Sequence, residues 1–296
     1  MNAMRTAMPT LVALVAFAAN SLLCRMALGG NEVDASAFTT VRLCSGALVL
    51  APFAWRSRAD AALRPSWLSA FALFAYAIAF SFAYTKLSTG TGALLLFGAV
   101  QTTMIGAALF KGERPRAGEW AGLVLALAGL VWLVAPGVAA PPLLAAALMV
   151  AAGIAWGAYS LRGRGAPSPA TATAWSFMRA APLALVVTAA LTFAPSFTNE
   201  SAAITDESAF VHANAVGVVL AAVSGAVTSG LGYVAWYAAL RSHTATSAAI
   251  VQLAVPVLAG VAGVVVLDEN VTLRLALAGA LVLGGVALAS LARMRA

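Results

Sequence analysis

The chain has 296 residues, 62% of them hydrophobic and 9% charged, with a mean hydropathy of +0.94. Soluble domains carry about a quarter charged residues, so there are too few here to make a polar skin, and a lipid-facing exterior is expected. The formal net charge of +7 is spread over short turns between apolar runs instead of along one face, which excludes nucleic acid as a partner and fits the positive-inside pattern of a membrane protein.

About 20 mostly apolar residues cross the hydrocarbon core as a helix, and ten such segments are predicted, over 8–28, 35–54, 66–86, 88–110, 117–136, 141–161, 169–194, 214–240, 244–266 and 272–292. Strand alternation is absent and Ala, Leu and Gly dominate, so helices are expected and not a barrel. Arg5, an apolar stretch and the small residues Ala18 and Ala19 make the first segment mimic a secretion signal. The apolar segments behind it make it a retained helix; it carries Asn20. Cys24 and Cys44, in the first two segments, are expected to be small buried apolar residues, and so sparse a pattern is not read as a disulfide framework. The second segment holds Arg42. The third places Tyr76, Phe80 and Tyr84 at intervals of four, one aromatic stripe on one face. The fourth holds Gln101. Gly118 and Gly122 on the fifth are spaced either to join protomers or to pack on the tenth, with a monomer favoured.

In the sixth segment the run GIAWGAY (153–159) pairs Gly153 and Gly157 in a small-xxx-small motif that admits a close neighbour, beside Trp156 and Tyr159. The seventh carries Arg179 and Pro182, the eighth Tyr233, Trp236 and Tyr237, the ninth Gln252 and Pro256. A proline inside a helix removes one backbone bond and can free a carbonyl toward a cavity.

Orientation follows from Lys and Arg alone. Of 17, one set of ends takes Arg5, Arg56, Arg58, Arg64, Lys111, Arg114, Arg116, Arg162, Arg164, Arg241, Arg293 and Arg295, while the other has Arg25, Lys86 and Arg274. Both termini are therefore expected in the cytoplasm. The acidic stretch Pro195–Asn214, with Glu200, Asp206 and Glu207, then lies outside. Comparing the chain with itself adds more. A shift of 137 superposes Arg25 on Arg162 and Arg42 on Arg179, and a shift of 156 superposes Phe80 on Trp236, Thr91 on Ser247, Glu113 on Glu269 and Gly129 on Gly285. The expected fold is thus all-α integral membrane, ten transmembrane helices in two inverted five-helix repeats, 1–138 and 139–296. A site is expected near the midplane between them.

The residues that could form it each have a plainer reading. Aromatic faces with phenol hydroxyls suit amphipathic solutes, yet Tyr76, Phe80, Tyr84, Tyr159, Tyr233, Trp236 and Tyr237 could equally pack helices. Trp156 sits too far inside its helix for an interfacial belt, which Trp67 and Trp120 fit better. Asn20, Gln101 and Gln252 are costly in lipid and either face a wet cavity or bond between helices. Arg42 and Arg179 could hold a carboxylate or snorkel to an interface. Glu113 and Glu269 read as caps or corner anchors. Of the two histidines, His212 lies in the expected outer loop and His243 at the cytoplasmic end near the ninth segment, and no H-E-x-x-H or G-x-S-x-G motif is present. No enzymatic activity, metal or cofactor is expected, and no deep carboxylate offers a proton relay.

The stretches YTKLSTGTGA (84–93) and LRSHTATSAA (240–249), with KGERP (111–115) and LDENV (267–271), resemble the drug/metabolite transporter superfamily, EamA type, and within it bacterial amino-acid exporters of the YddG kind. The resemblance implies a bacterial inner-membrane protein that exports small metabolites, amino acids of aromatic and other neutral types foremost, by alternating access through a cavity lined by helices 1–4 and 6–9. The partners it implies are a small-molecule substrate and the lipid bilayer. Export of drugs or other metabolites is the alternative, and a channel a more distant one.

Overall fold

This computed structural model describes residues 2–56, 66–110, 117–135, 137, 140–164, 166–193, 212–243, 251–252 and 254–294. Arg58, Arg64, Lys111, Glu113, Arg114, Arg116, Ser247, Arg295 and the acidic Glu200, Asp206 and Glu207 lie outside the described residues. The regular elements within them are helices: α1 Asn2–Gly29, α2 Ala35–Arg56, α3 Trp67–Tyr84, α4 Thr89–Phe110, α5 Ala117–Val134, α6 Leu143–Gly163, α7 Pro169–Phe193, α8 Ala215–Leu240, α9 Ala254–Leu267 and α10 Leu273–Met294. A single isolated bridge, Val33 to Ala213, joins the turn after α1 to the start of α8.

Local chemistry sets the helix starts. Asp34 accepts from the backbone of Ser36 (2.8 Å) and Ala37 (3.0 Å) and so caps α2, while Asn214 accepts from Gly217 at 2.8 Å and caps α8. Pro169 opens α7, where its missing N–H costs nothing. Six helices (α1, α2, α3, α6, α7 and α8) are long and apolar enough to cross a membrane, and α5, α9 and α10 hold shorter apolar stretches. Large apolar side chains such as Leu11, Leu48, Val186 and Val265 point outward, the inverse of a water-soluble surface.

Packing follows a two-fold pattern. α3 packs on α6 as α8 packs on α1, α4 on α6 as α9 on α1, and α3 on α7 as α8 on α2, while α2 meets α7, α4 meets α9 and α5 meets α10. Exchanging each helix with the one five places along leaves this set unchanged, which is the packing expected of two similar halves. Small residues make the close approaches, since apolar side chains gain little from each other over lipid. A Cβ on Gly153 would meet the Leu96 carbonyl at 2.5 Å, so the predicted close neighbour of α6 is α4. The α5 glycines settle on α10: Gly118 faces Ala292, and Gly129 and Gly285, equivalent in the self-comparison, both lie at that crossing.

Candidate functional site

Arg42 lies one to two turns inside α2 with 1% of its surface exposed. An ionised group at such a depth costs about 3 kcal/mol on insertion scales, and among the described residues no carboxylate pairs with it. Its Nε donates to Ser229 Oγ at 2.9 Å, and its Nη2 donates to Tyr76 Oη at 3.0 Å and Tyr233 Oη at 2.8 Å. The guanidinium carbon stands 5.1 Å from the ring centres of both Tyr76 and Phe80, a cation–π geometry. Three hydroxyls and two ring faces therefore hold the charge in place.

Those hydroxyls come from α3 and from a wide stretch of α8. Residues Ser224–Leu231 form a π-helical turn, a feature frequent at functional sites because it re-aims side chains. It brings three hydroxyls onto one acceptor: Asn20 Oδ1 takes bonds from Ser224 (2.8 Å), Thr228 (3.1 Å) and Ser229 (3.3 Å). The Asn20 amide in turn donates to Tyr76 Oη at 3.5 Å, and Tyr233 Oη donates to Tyr76 Oη at 3.3 Å. Arg42, Ser229, Asn20 and Tyr76 thus close a ring of polar contacts across α1, α2, α3 and α8. Gly225 permits it: a Cβ there would collide with the Arg42 carbonyl and Ser45 Oγ.

Around this network stands an aromatic enclosure. Trp156 has its ring 4.5 Å from Tyr233, 5.0 Å from Tyr76 and 5.5 Å, edge-on, from Phe17. Phe17 also meets Trp236 at 5.6 Å. Inside lies a cavity of about 10 Å³ lined by Phe17, Asn20, Ser21, Tyr76, Phe80, Leu96, Phe97, Trp156 and Tyr233, room for the order of one water molecule. Contacts between the helices flank it on two sides. Toward one, Tyr84 packs edge-on against Phe80 at 4.7 Å and bonds the Thr89 carbonyl at 3.3 Å, beneath the ion pair Arg25–Glu269. Toward the other, Tyr237 donates to the Tyr159 carbonyl at 3.1 Å, and Thr10 meets His243 at 2.9 Å.

The cavity thus lies between the two halves of a helical bundle, with wall residues from both. The pattern of the EamA-like transporter family matches residues 5–135 and again 143–291. The chain belongs to the EamA-like transporter family. It is accordingly a multi-pass membrane protein with a two-repeat fold, of a family of transporters of small metabolites. A Pseudomonas aeruginosa protein described as uncharacterized protein PA1977 is 47% identical over 285 residues, covering 96% of this chain and 94% of its own. A solved structure described as "Crystal structure of protein" superposes with a TM-score of 0.65 at 20% identity over 97% of each chain, a likeness in fold alone.

Within this EamA-like fold, Asn20, Tyr76, Phe80, Trp156 and Tyr233 come together on the cavity wall, with Arg42 directly behind the two tyrosines. Tyr84, Tyr159, Trp236 and Tyr237 are buried just beyond it. Gln101 in α4 and Gln252 just before α9 are buried, as is Pro256 in α9, and none of the three is on the cavity wall. Arg179 is placed apart, its guanidinium 5.2 Å from the Trp67 ring and 5.5 Å from that of Trp175. Pro182 faces outward. Phe17, Ser21, Leu96 and Phe97 are wall residues that sequence reasoning passed over, because isolated apolar residues in apolar helices carry no signal and a small serine beside Asn20 is cheap to place in a helix whatever it faces. The serines and threonine of SGAVTSG (224–230) did carry one: a polar run inside an apolar span.

Proposed function

We propose that this protein exports small amphipathic metabolites, amino acids of aromatic and other neutral types foremost, across the bacterial inner membrane by alternating access. In this reading the ten helices all span the bilayer as two inverted five-helix repeats, and both termini are cytoplasmic. The single observation that carries it is the cavity between the halves, walled by Tyr76, Trp156, Tyr233 and Phe17 and by the polar groups of Asn20 and Ser21. Aromatic faces accept an apolar side chain, and the fixed polar groups orient a charged end. Barriers made of different contacts above and below the cavity support alternation, since each can open while the other stays shut. Protein and bilayer act without cofactor, as a monomer, on a small-molecule substrate.

The test is flux into liposomes containing the purified protein, with a panel of aromatic, aliphatic, polar and charged amino acids. Saturable counterflow of the aromatic and neutral members is expected. No acceleration for any member would overturn the proposal, and single-channel currents would replace it with a channel.

A further inference from the structure

The cavity wall is unequal in donors and acceptors. Both phenols accept from Arg42 Nη2, and the pair is linked by one bond, Tyr233 to Tyr76. A phenol has one hydrogen, so two phenols hold two and that link uses one, leaving the other without an acceptor. Behind the wall, Arg42 Nη1 is also buried with no acceptor, as is Trp236 Nε1 just beyond it. The strongest acceptor nearby, Asn20 Oδ1, is already filled by three hydroxyls. The local charge is that of Arg42 alone, for no carboxylate stands against it among the described residues.

A wall with surplus donors and one uncompensated positive charge is complementary to a ligand rich in acceptors and negative in charge. It is also unfavourable to a cation that offers only donors. From the same wall we infer that the transported molecule must present a carboxylate, held by the Tyr76 and Tyr233 hydroxyls with Arg42 behind them, and that an ammonium group is dispensable. The phenols carry the contact and Arg42 polarises both, since Nη2 donates to each oxygen: the Tyr76 hydrogen is unspent and donates to a carboxylate directly, and the Tyr233 hydrogen does so by exchanging its bond to Tyr76 for one to the ligand. An apolar side chain then lies against Trp156 and Phe17. The inference rests on the transport reading above and narrows it from amphipathic solutes to organic acids, zwitterions included and cationic amphiphiles excluded.

The experiment is protein-dependent tracer counterflow in proteoliposomes with four probes that share one ring: phenylalanine, 3-phenylpropionate, phenylalanine amide and phenethylamine. The two carboxylates are expected to be carried, and the amide and the amine roughly 10-fold or more less well, the size of one lost charge-assisted contact. Carriage of amide or amine at the rate of the acids would overturn the inference while leaving the transport reading intact. No counterflow of any probe would overturn both. Carriage of phenylalanine without phenylpropionate would overturn the dispensable ammonium. Tyr76→Phe and Arg42→Lys serve as second measurements, read as the acid-to-amide ratio within one preparation so that yield does not enter. Tyr76→Phe is expected to lower that ratio and Arg42→Lys to keep more of it than Arg42→Gln; an unchanged ratio in all three would also overturn the assignment.

Discussion

Glu269 caps α4 from the far half of the chain: its carboxylate accepts the Thr89 backbone N–H at 2.9 and 2.8 Å and the Thr89 hydroxyl at 3.2 Å, 180 residues away in sequence. The same carboxylate pairs with Arg25 at 3.4 Å, and Arg25 Nη1 donates to the Tyr84 carbonyl at 3.2 Å. The expected helix-capping role of this acid is thus exercised on α4, not on α10, which follows it. One side chain ties α1, the α3–α4 turn and the α9–α10 turn together at one end of the cavity.

Replacing Glu269 by Gln removes the charge that favours the α4 N-terminus and leaves Arg25 without its partner. The expected loss is about 1 kcal/mol, modest because both side chains keep some exposure. A double-mutant cycle with Arg25→Gln, read as thermal unfolding in detergent, checks it. The two changes are expected to be less than additive, and full additivity would show that the pair is not coupled.

Gly225→Ala is expected to destabilise by about 1–3 kcal/mol, because the new methyl has no space between α8 and the Arg42 carbonyl. Gly279→Ala in α10 is the control. Nothing lies within 4 Å of a Cβ there, so the same change gains about 0.4–1 kcal/mol from helix propensity and a less flexible unfolded chain. Unfolding midpoints of the two variants should move in opposite directions.

His243 follows the last turn of α8 and contacts Thr10 at 2.9 Å. Partial burial lowers its imidazole below the ordinary value of 6.5. The folded protein then binds fewer protons than the unfolded chain, so this contribution to stability is full above that value and falls as pH drops through it. Melting of the wild type between pH 7.5 and 5, roughly the histidine range, should show a decline that His243→Asn reduces. An equal decline in both would assign the acid sensitivity elsewhere.

Trp156 touches Tyr76, Tyr233, Phe17 and Tyr159, so its removal opens the cavity wall itself. Trp156→Leu is expected to weaken carriage of aromatic substrates by roughly 10-fold, one stacked pair being worth about 1 kcal/mol beyond its area. Aliphatic substrates should lose less. Competition counterflow with phenylalanine against leucine measures the split, and an equal loss for both would place Trp156 in packing alone.

Much of this was readable in the chain because the cost of placing a residue in lipid depends chiefly on that residue. Apolar length marked the helices, and most expected edges fall within about two residues of those described; the first helix begins at Asn2, six residues before the expected 8, and the expected start of the ninth segment at 244 lies outside the described residues. The shift of 156 that paired Gly129 with Gly285 anticipated that both would lie at one crossing, α5 on α10. Asn20, Tyr76, Phe80, Trp156 and Tyr233 were legible as candidates because polar and aromatic groups are conspicuous among Ala, Leu and Val.

Which of those candidates meet was decided only by the tertiary structure. Arg42 and Arg179 hold the same rank in the two repeats, yet one is enclosed by Tyr76, Tyr233 and Ser229 and the other lies between Trp67 and Trp175. A residue's own transfer cost says that a charge needs partners. It does not say which helices bring them, since the partners of Arg42 lie 34, 187 and 191 residues away, Tyr76 on α3 and the other two on α8, which carries a π-helical turn and crosses α2 at Gly225.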